Sequence, residues 1–392
     1  MLLLLAPALA FAHDVPDEAR IQAFVKPEGQ RMRIFVRVPL DSMIDILFPT
    51  QEGVPFLDLE RSEQYAANAA QTWVADLLKI YEGDHLLLKP QIVATRLSRK
   101  SDPAIASYYP NFKAAEAAVR GPRLAGNPLL VQGRVAVDVL LETPIESEKS
   151  EFRLHPQFGR LGVRVFTTLT FLPPGGGARK FEYEGDPEDF WMNPSVVQSV
   201  RRFAATGGRT ALTWFDLLLF ALCTTVVIRQ VRRPAIFAVV FLIAQLMTLS
   251  WAATTSWAAT TPDLPSAAAA GVLTAAAVVY MGIESIIGGS AVVSLLLAGA
   301  ACGAIFGLGG GFQVNPLLQF GGAHPLASVF AFNTGIVAGE LLLMAVLFLT
   351  LGWFLKIISQ PRVGAILVTA LAIHISWLNL IERAHLLSHL RL

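Results

Sequence analysis

The sequence of 392 residues is poor in cysteine and, in its second half, poor in charge. Its two cysteines, Cys223 and Cys302, both lie in apolar runs, which excludes a disulfide framework and a cysteine-rich zinc site. Residues 210–392 contain only 7 basic and 5 acidic residues in 183 positions. Because so few charges cannot cover the surface of a soluble domain, we expect this half to lie in lipid.

Residues 1–209 contain 24 basic and 25 acidic residues, which is the charge density of an ordinary globular surface. Both halves are close to neutral, so the sequence offers no basic surface for nucleic acid. It also has no nucleophile motif, no phosphate-binding loop and no pair of carboxylates at a meaningful spacing, which argues against an enzyme. Gly175-Gly176-Gly177 follows two prolines and is typical of a turn.

The first 12 residues form an apolar run that ends in Ala10-Phe11-Ala12, as in a secretory signal peptide, although a basic segment before the run is missing. The alternative is a buried strand or helix. Cleavage after Ala12 would leave His13 first, with an amine and an imidazole that could together chelate a metal. The plainer interpretation is that His13 only marks the cleavage site.

Residues 13–186 are predicted to form an exported β-rich domain, a small sandwich with at least one packed helix. Arg20–Val25 and Arg31–Val38 predict a hairpin, and alternating apolar residues over Arg134–Glu142 and Val163–Leu172 predict further strands. Apolar residues on one face of Glu60–Tyr81 predict the helix.

Residues 187–209 are predicted to be an interfacial linker. Within it, Phe190–Phe203 combines aromatic residues, apolar residues and Arg201-Arg202, as in a segment that lies on the membrane surface. A plain linker is the alternative.

Residues 210–392 are predicted to be a polytopic α-helical membrane domain with six transmembrane helices, each long enough to cross about 30 Å of hydrocarbon. The spans are Ala211–Ile228, Pro234–Trp251, Ala267–Ile287, Ala291–Leu308, Ser328–Leu351 and Val363–Ile381. The first loop contains Arg229, Arg232 and Arg233, and the last contains Lys356 and Arg362, so the positive-inside rule places both in the cytoplasm. The first domain and the carboxyl terminus are then both outside.

Polar groups at membrane depth are candidates for a substrate or ion path, since each is costly there unless it is paired or hydrated. They are Asp216, Gln245, Glu284, Asn333, Glu340 and His374. Asn333 and Glu340 are seven residues apart and share a helical face, and Glu340 and His374 are expected to meet as a proton-sharing pair. The alternative is that these groups only hydrogen-bond the helices together.

The run Gly307-Leu308-Gly309-Gly310-Gly311 lies in the fourth predicted span and at its end. Such a run either lets two helix backbones approach closely or breaks the helix at a cavity. As a packing device it needs no ligand.

Three stretches resemble the long form of the HupE/UreJ family, bacterial inner-membrane proteins associated with nickel supply to hydrogenase and urease. Phe332–Glu340 (FNTGIVAGE) resembles the family's Phe-Asn-x-Gly-Val-Glu-x-Gly-Gln, and Tyr280–Glu284 resembles its Tyr-x-x-x-Glu. Ile21–Gly29 also fits the opening of its exported domain. The resemblance implies a signal peptide, a β-rich periplasmic domain, six spans and a divalent transition metal such as nickel or cobalt.

The sequence departs from the family pattern at its histidines. The first span keeps Asp216 and Phe220 of His-x5-Asp-His-Leu-x-Phe, but the histidine positions hold Thr210 and Leu217. The remaining departures are Gln245 in place of the second-span histidine, Gly310-Gly311 in place of the fourth-span His-Gly, and Val337 and Glu340 in place of the fifth-span glutamate and glutamine. Because nickel favours imidazole nitrogen, the remaining oxygen donors do not favour high-affinity nickel transport.

Two functions remain open. The first is a non-catalytic accessory or assembly subunit of a larger membrane enzyme complex, with degenerate permease helices and protein partners or a homo-oligomeric state. The second is a divalent-metal or proton-coupled permease that uses Asp216 as its outer carboxylate and Glu340 with His374 as its relay.

Overall fold

The structure is a computed structural model that describes residues 18–43, 46–100, 109–124, 129–162, 164–230, 234–255, 264–287 and 292–390. The chain divides into two compact units, Met1–Asn193 and Pro194–Leu392. The predicted signal peptide and His13 lie outside the described residues, as do Arg232 and Arg233.

The described part of the first unit is built from two sheets and two α-helices. Its strands are β1 (Glu18–Glu28), β2 (Arg31–Pro39), β3 (Leu78–Glu82), β4 (His85–Leu86), β5 (Gln91–Arg99), β6 (Val135–Pro144), β7 (Phe152–Pro156), β8 (Arg164–Phe171), β9 (Arg179–Glu184) and β10 (Phe190–Trp191), and its helices are α1 (Leu59–Trp73) and α2 (Phe112–Arg120). The strand orders are β5-β6-β2-β1-β8-β9 and β10-β7-β3-β4. Neighbouring strands are antiparallel except β1 and β8, so the larger sheet is mixed.

The predicted hairpin is confirmed as β1 and β2, which turn between Glu28 and Arg31. Gly29 has a φ of 60° in this turn, a backbone conformation that suits glycine. Burial on β2 does not simply alternate, because Phe35 is as buried as its neighbours Ile34 and Val36. The second face of the sheet is covered by α2, whose Phe112 packs against Phe24 and Phe35.

The helix predicted over Glu60–Tyr81 is shorter in the structure. It ends at Trp73, and Leu77 lies in a short 3-10 turn that leads into β3. Leu78, Ile80 and Glu82 are buried in β3, which pairs with β7. The pairing with β7 therefore overrides the helical spacing of the apolar residues after Trp73.

The second unit is helical, with α3 (Val196–Thr213), α4 (Phe215–Gln230), α5 (Pro234–Thr255), α6 (Leu264–Ile287), α7 (Val292–Val314), α8 (Pro325–Ile357) and α9 (Pro361–Leu390). Within the described ranges, five helices, α5 to α9, are long and apolar enough to cross a membrane. The pair α3 and α4 is bent by 66° and counts as a sixth span if it is taken as one. The polytopic helical fold class is confirmed, with five to six candidate spans.

Most of the segment expected to be a linker belongs to α3. The helix begins after Ser195, whose hydroxyl accepts from the Gln198 amide while the Gln198 side chain accepts from the Ser195 amide. It packs closely along the first half of α8, because Gly207 on α3 and Gly335 on α8 have no side chains to hold the backbones apart. Val197 is 65% exposed, so a role of this helix at the membrane surface stays a prediction.

Four glycines of α7 face α5 at intervals of four residues: Gly299, Gly303, Gly307 and Gly311. A Cβ atom at Gly307 would lie 2.5 Å from the Gln245 carbonyl oxygen, and one at Gly299 would lie 3.3 Å from that of Phe237. The helix is continuous from Val292 to Val314. The glycine run therefore packs two helices and does not break one.

Candidate functional site

A buried carboxylate and a buried amide meet between α5 and α8. Gln245 is fully buried on α5, and its Nε2 donates a hydrogen bond of 2.5 Å to Oε1 of Glu340, which is 6% exposed. Oε2 of Glu340 is buried and has no hydrogen-bond partner among the described residues. The close approach of α7 at Gly307 holds the α5 backbone at this level.

A second polar pair joins the same two helices. Asn333 Nδ2 donates a hydrogen bond of 2.9 Å to Oγ of Ser250. Asn333 and Glu340 therefore both face α5, as their spacing predicts, and the order of their partners Ser250 and Gln245 is reversed because the helices are antiparallel. The Asn333 side chain links the two helices.

A cavity of about 70 Å³ adjoins Glu340 between α4, α5 and α8. Its wall is otherwise built from Leu217, Phe220, Ala221, Thr224, Ile228, Phe237, Ala238, Phe241, Leu242, Leu341, Leu343 and Met344. Glu340 is thus the one titratable residue on this wall, and the rings of Phe220 and Phe241 stack there at 5.2 Å. Such a wall offers few hydrogen bonds to an ion or to ordered water.

Asp216 forms a separate site at the first turn of α4. The Thr274 hydroxyl on α6 donates 2.6 Å to Asp216 Oδ2, and the Arg383 guanidinium on α9 donates to the same oxygen. Arg383 also donates 2.8 Å to the Gly271 carbonyl. The amino end of a helix adds favourable potential for an anion, so the charge on Asp216 is balanced inside the protein.

The expected pair of Glu340 and His374 does not form. His374 is exposed on α9, whereas Glu340 is buried and bonded to Gln245. The helix α9 turns Thr369 and Ile373 towards Gly282 of α6, which leaves His374 on another face. The spacing along single helices could not reveal which face of α9 meets the bundle.

Glu284 also lies apart from the other candidates. It is half-buried on α6 and is absent from the residues that line the Glu340 cavity. Across the described ranges, no group of three or more histidine, cysteine, aspartate or glutamate residues is arranged to hold a metal ion. The candidate path residues thus form separate pairs and not one coordination site.

The β-rich unit contains a buried polar network that the sequence does not indicate. Arg37 Nη1 donates 3.0 Å to each carboxylate oxygen of Asp138, and the Tyr109 hydroxyl donates 2.7 Å to Oδ2. Gln22 exchanges two hydrogen bonds with the backbone of Tyr109. Burial raises the pKa of Asp138, and burial together with the nearby Asp138 charge raises the pKa of Tyr109 to about 12. The network fixes the chain before α2 to the sheet.

Residues 188–382, which cover the whole helical unit up to the last turns of α9, match the family model described as HupE / UreJ protein. This chain is a HupE/UreJ family membrane protein. No curated protein and no solved structure matches it.

In this HupE/UreJ protein, two of the positions that carry histidine or glutamine in the family pattern, Leu217 and Glu340, line the cavity. Leu217 lies on the cavity wall, and Gln245 donates to Glu340, which stands at the glutamine position. Gly310 lies one helical turn from Gly307, and a Cβ atom at Gly310 would meet the Leu249 side chain at 2.9 Å. The family's histidine positions are therefore occupied by a threonine, a leucine, a glutamine and a glycine, namely Thr210, Leu217, Gln245 and Gly310.

Proposed function

We propose that this HupE/UreJ protein is a non-catalytic accessory or assembly subunit of a larger membrane complex. Family membership supports a membrane role in metal transport or as an accessory component. The observation that favours the accessory role is that the intramembrane polar groups are paired with one another: Glu340 with Gln245, Asn333 with Ser250, and Asp216 with Thr274 and Arg383.

The atoms of these groups that have no hydrogen-bond partner among the described residues are all oxygens: Oδ1 of Asp216, Oε1 of Gln245, Oδ1 of Asn333 and Oε2 of Glu340. A transported nickel or cobalt ion must exchange its water ligands for protein donors, and nitrogen donors suit these ions best. The wall of the Glu340 cavity offers one carboxylate, no imidazole and otherwise mainly hydrocarbon. The bundle thus retains helix packing without a ligand set.

We further propose that the amino-terminal segment is a cleaved signal and that the β-rich unit lies outside the inner membrane, where it contacts the partner. Lys356 at the end of α8 and Arg362 at the start of α9 support this orientation, because the positive-inside rule assigns basic residues at the ends of spans to the cytoplasmic side. Mass spectrometry of the mature amino terminus tests it, and it also tests the chelate proposed for His13. A mature chain that starts elsewhere rules out that chelate.

The accessory role is tested by extracting the endogenous protein in mild detergent, separating it on a native gel and identifying what co-migrates. We expect a stoichiometric complex that contains an enzyme. A chain that migrates alone or as a small homo-oligomer contradicts the proposal.

A permease is the second candidate, and the free Oε2 of Glu340 beside a cavity favours it. Reconstituted vesicles loaded with a nickel-sensitive dye test it directly. In a permease, Glu340→Gln abolishes uptake and Glu284→Gln, the same change away from the cavity, does not. Uptake no faster than in protein-free vesicles, or equal in the wild type and Glu340→Gln, removes Glu340 from any transport path.

A further inference from the structure

Two histidines lie side by side at the end of α9. His385 and His389 are four residues apart on one helical face, with ring centroids 4.4 Å apart. Their Nε2 atoms are 3.4 Å apart, and both side chains are exposed. At this distance a hydrogen bond between the two nitrogens is long and weak.

We propose that His385 and His389 form a bidentate site for a divalent first-row transition metal. An ion bound tetrahedrally at about 2.0–2.1 Å from two imidazole nitrogens places these nitrogens about 3.3 Å apart. The 3.4 Å separation in the structure matches this requirement without a change of backbone. Imidazole nitrogen selects copper, nickel and zinc over magnesium and calcium, which favour oxygen.

The site is placed where aqueous metal can reach it. The 30 residues of α9 extend about 45 Å at about 1.5 Å per residue, whereas the hydrocarbon layer is about 30 Å thick. The part of α9 that exceeds this thickness lies at its carboxyl end. The sequence there is polar and includes Glu382, Arg383, His385, Ser388 and His389. Arg383 ties this end of α9 to Asp216 and α4, so the histidines lie near the end of the bundle at which α4 begins.

Two protein ligands leave the remaining coordination positions to water. A structural zinc site is closed by four protein ligands, whereas a site with open positions can take up water or another ligand there. The proposal depends only on α9 and is independent of the accessory role proposed above.

The test is equilibrium binding of Ni²⁺, Cu²⁺ and Zn²⁺, each supplied alone, to the full chain in detergent without a histidine tag. We expect one ion per chain, and about a 100-fold loss of affinity in His385→Ala and in His389→Ala, because either change removes the chelate. The matched control is Leu386→His combined with His389→Ala. It keeps the number of histidines but places them on adjacent residues, about 100° apart around the helix, and should bind as weakly as the single variants.

A second control is His374→Ala, which removes another exposed histidine of the same helix and should leave binding unchanged. Electron paramagnetic resonance of the Cu²⁺ form gives a readout that does not depend on variants, and we expect two imidazole nitrogens on the ion. Equal affinity in the wild type and the His385→Ala/His389→Ala double variant overturns the proposal. A spectrum with one nitrogen or none does so as well.

Discussion

Two adjacent glycines of α3 should respond differently to the same substitution. A Cβ atom at Gly207 would collide with the Phe332 carbonyl oxygen and lie 3.0 Å from the amide nitrogen of Ile336. A Cβ atom at Gly208 would meet its nearest neighbour, the Gly335 carbonyl oxygen, at 3.6 Å, an ordinary contact. Alanine at Gly207 must therefore push α3 away from α8, whereas alanine at Gly208 fits.

The size of the effect follows from two terms. Replacing glycine by alanine inside a helix stabilises it by about 1 kcal/mol, and this term is common to both variants. Overpacking costs about 1–3 kcal/mol and applies to Gly207→Ala alone. The difference between the variants therefore isolates the packing cost, and we expect Gly208→Ala to be the more stable by about 1–3 kcal/mol.

Thermal unfolding in detergent measures this difference. A change of 1 kcal/mol shifts the Tm of a domain of this size by about 2–4 °C, so Gly207→Ala should unfold at least about 2 °C below Gly208→Ala. Equal midpoints, or a lower midpoint for Gly208→Ala, would show that α3 and α8 are not packed in this register. Gly208→Ala also serves as the control for expression and for detergent extraction.

Three further results are expected from thermal unfolding of the full chain. Arg383→Gln should lower the Tm of the helical unit, since it leaves the buried Asp216 carboxylate without its cation. Adding Asp216→Asn to this variant should recover part of the loss. Equal midpoints in all three forms would contradict the pairing. Asp138→Asn should destabilise the β-rich unit by about 3–5 kcal/mol, because it leaves the Arg37 guanidinium buried without its anion, and a shift of less than 1 °C contradicts this. Desolvation raises the pKa of Glu82, but hydrogen bonds from Ser150, Glu146 and Ser147 outweigh this effect, so the pKa of Glu82 lies below its usual value of 4.5. The β-rich unit should therefore lose stability as the pH falls below 4.5. Glu82→Gln should flatten that dependence, and an unchanged profile would exclude Glu82 as its source.

Local sequence signals predict the elements of this fold better than their ends. The β1 and β2 hairpin follows from alternation around a glycine turn, and the apolar stretches follow from length and composition. The helix expected to reach Tyr81 stops at Trp73, because β7 supplies a strand partner that no local pattern reveals. The parallel pairing of β1 with β8 joins residues far apart in the sequence and is invisible for the same reason.

The sequence identifies the buried polar residues but not their partners. The cost of a polar group in lipid is enough to single out Asp216, Gln245, Asn333 and Glu340. The sequence does not single out Arg383, because it lies beyond the apolar stretch, where a cation is expected. Its long side chain nevertheless reaches back to Asp216.

The glycine contacts explain why the polar pairs can form at all. An amide and a carboxylate on neighbouring helices reach each other only if the backbones are close and their register is fixed. The carbonyl of Gln245 itself faces Gly307, so the contact that brings α5 against α7 also sets the height at which the Gln245 side chain meets Glu340. A histidine at position 245 would therefore place its ring at the level of Glu340. The histidines that the family pattern has at positions 210, 217 and 310 would still be missing. A single reversion is consequently expected to leave nickel uptake at the level of the unaltered chain in reconstituted vesicles, and a gain of saturable uptake from Gln245→His alone would show that one imidazole beside Glu340 suffices.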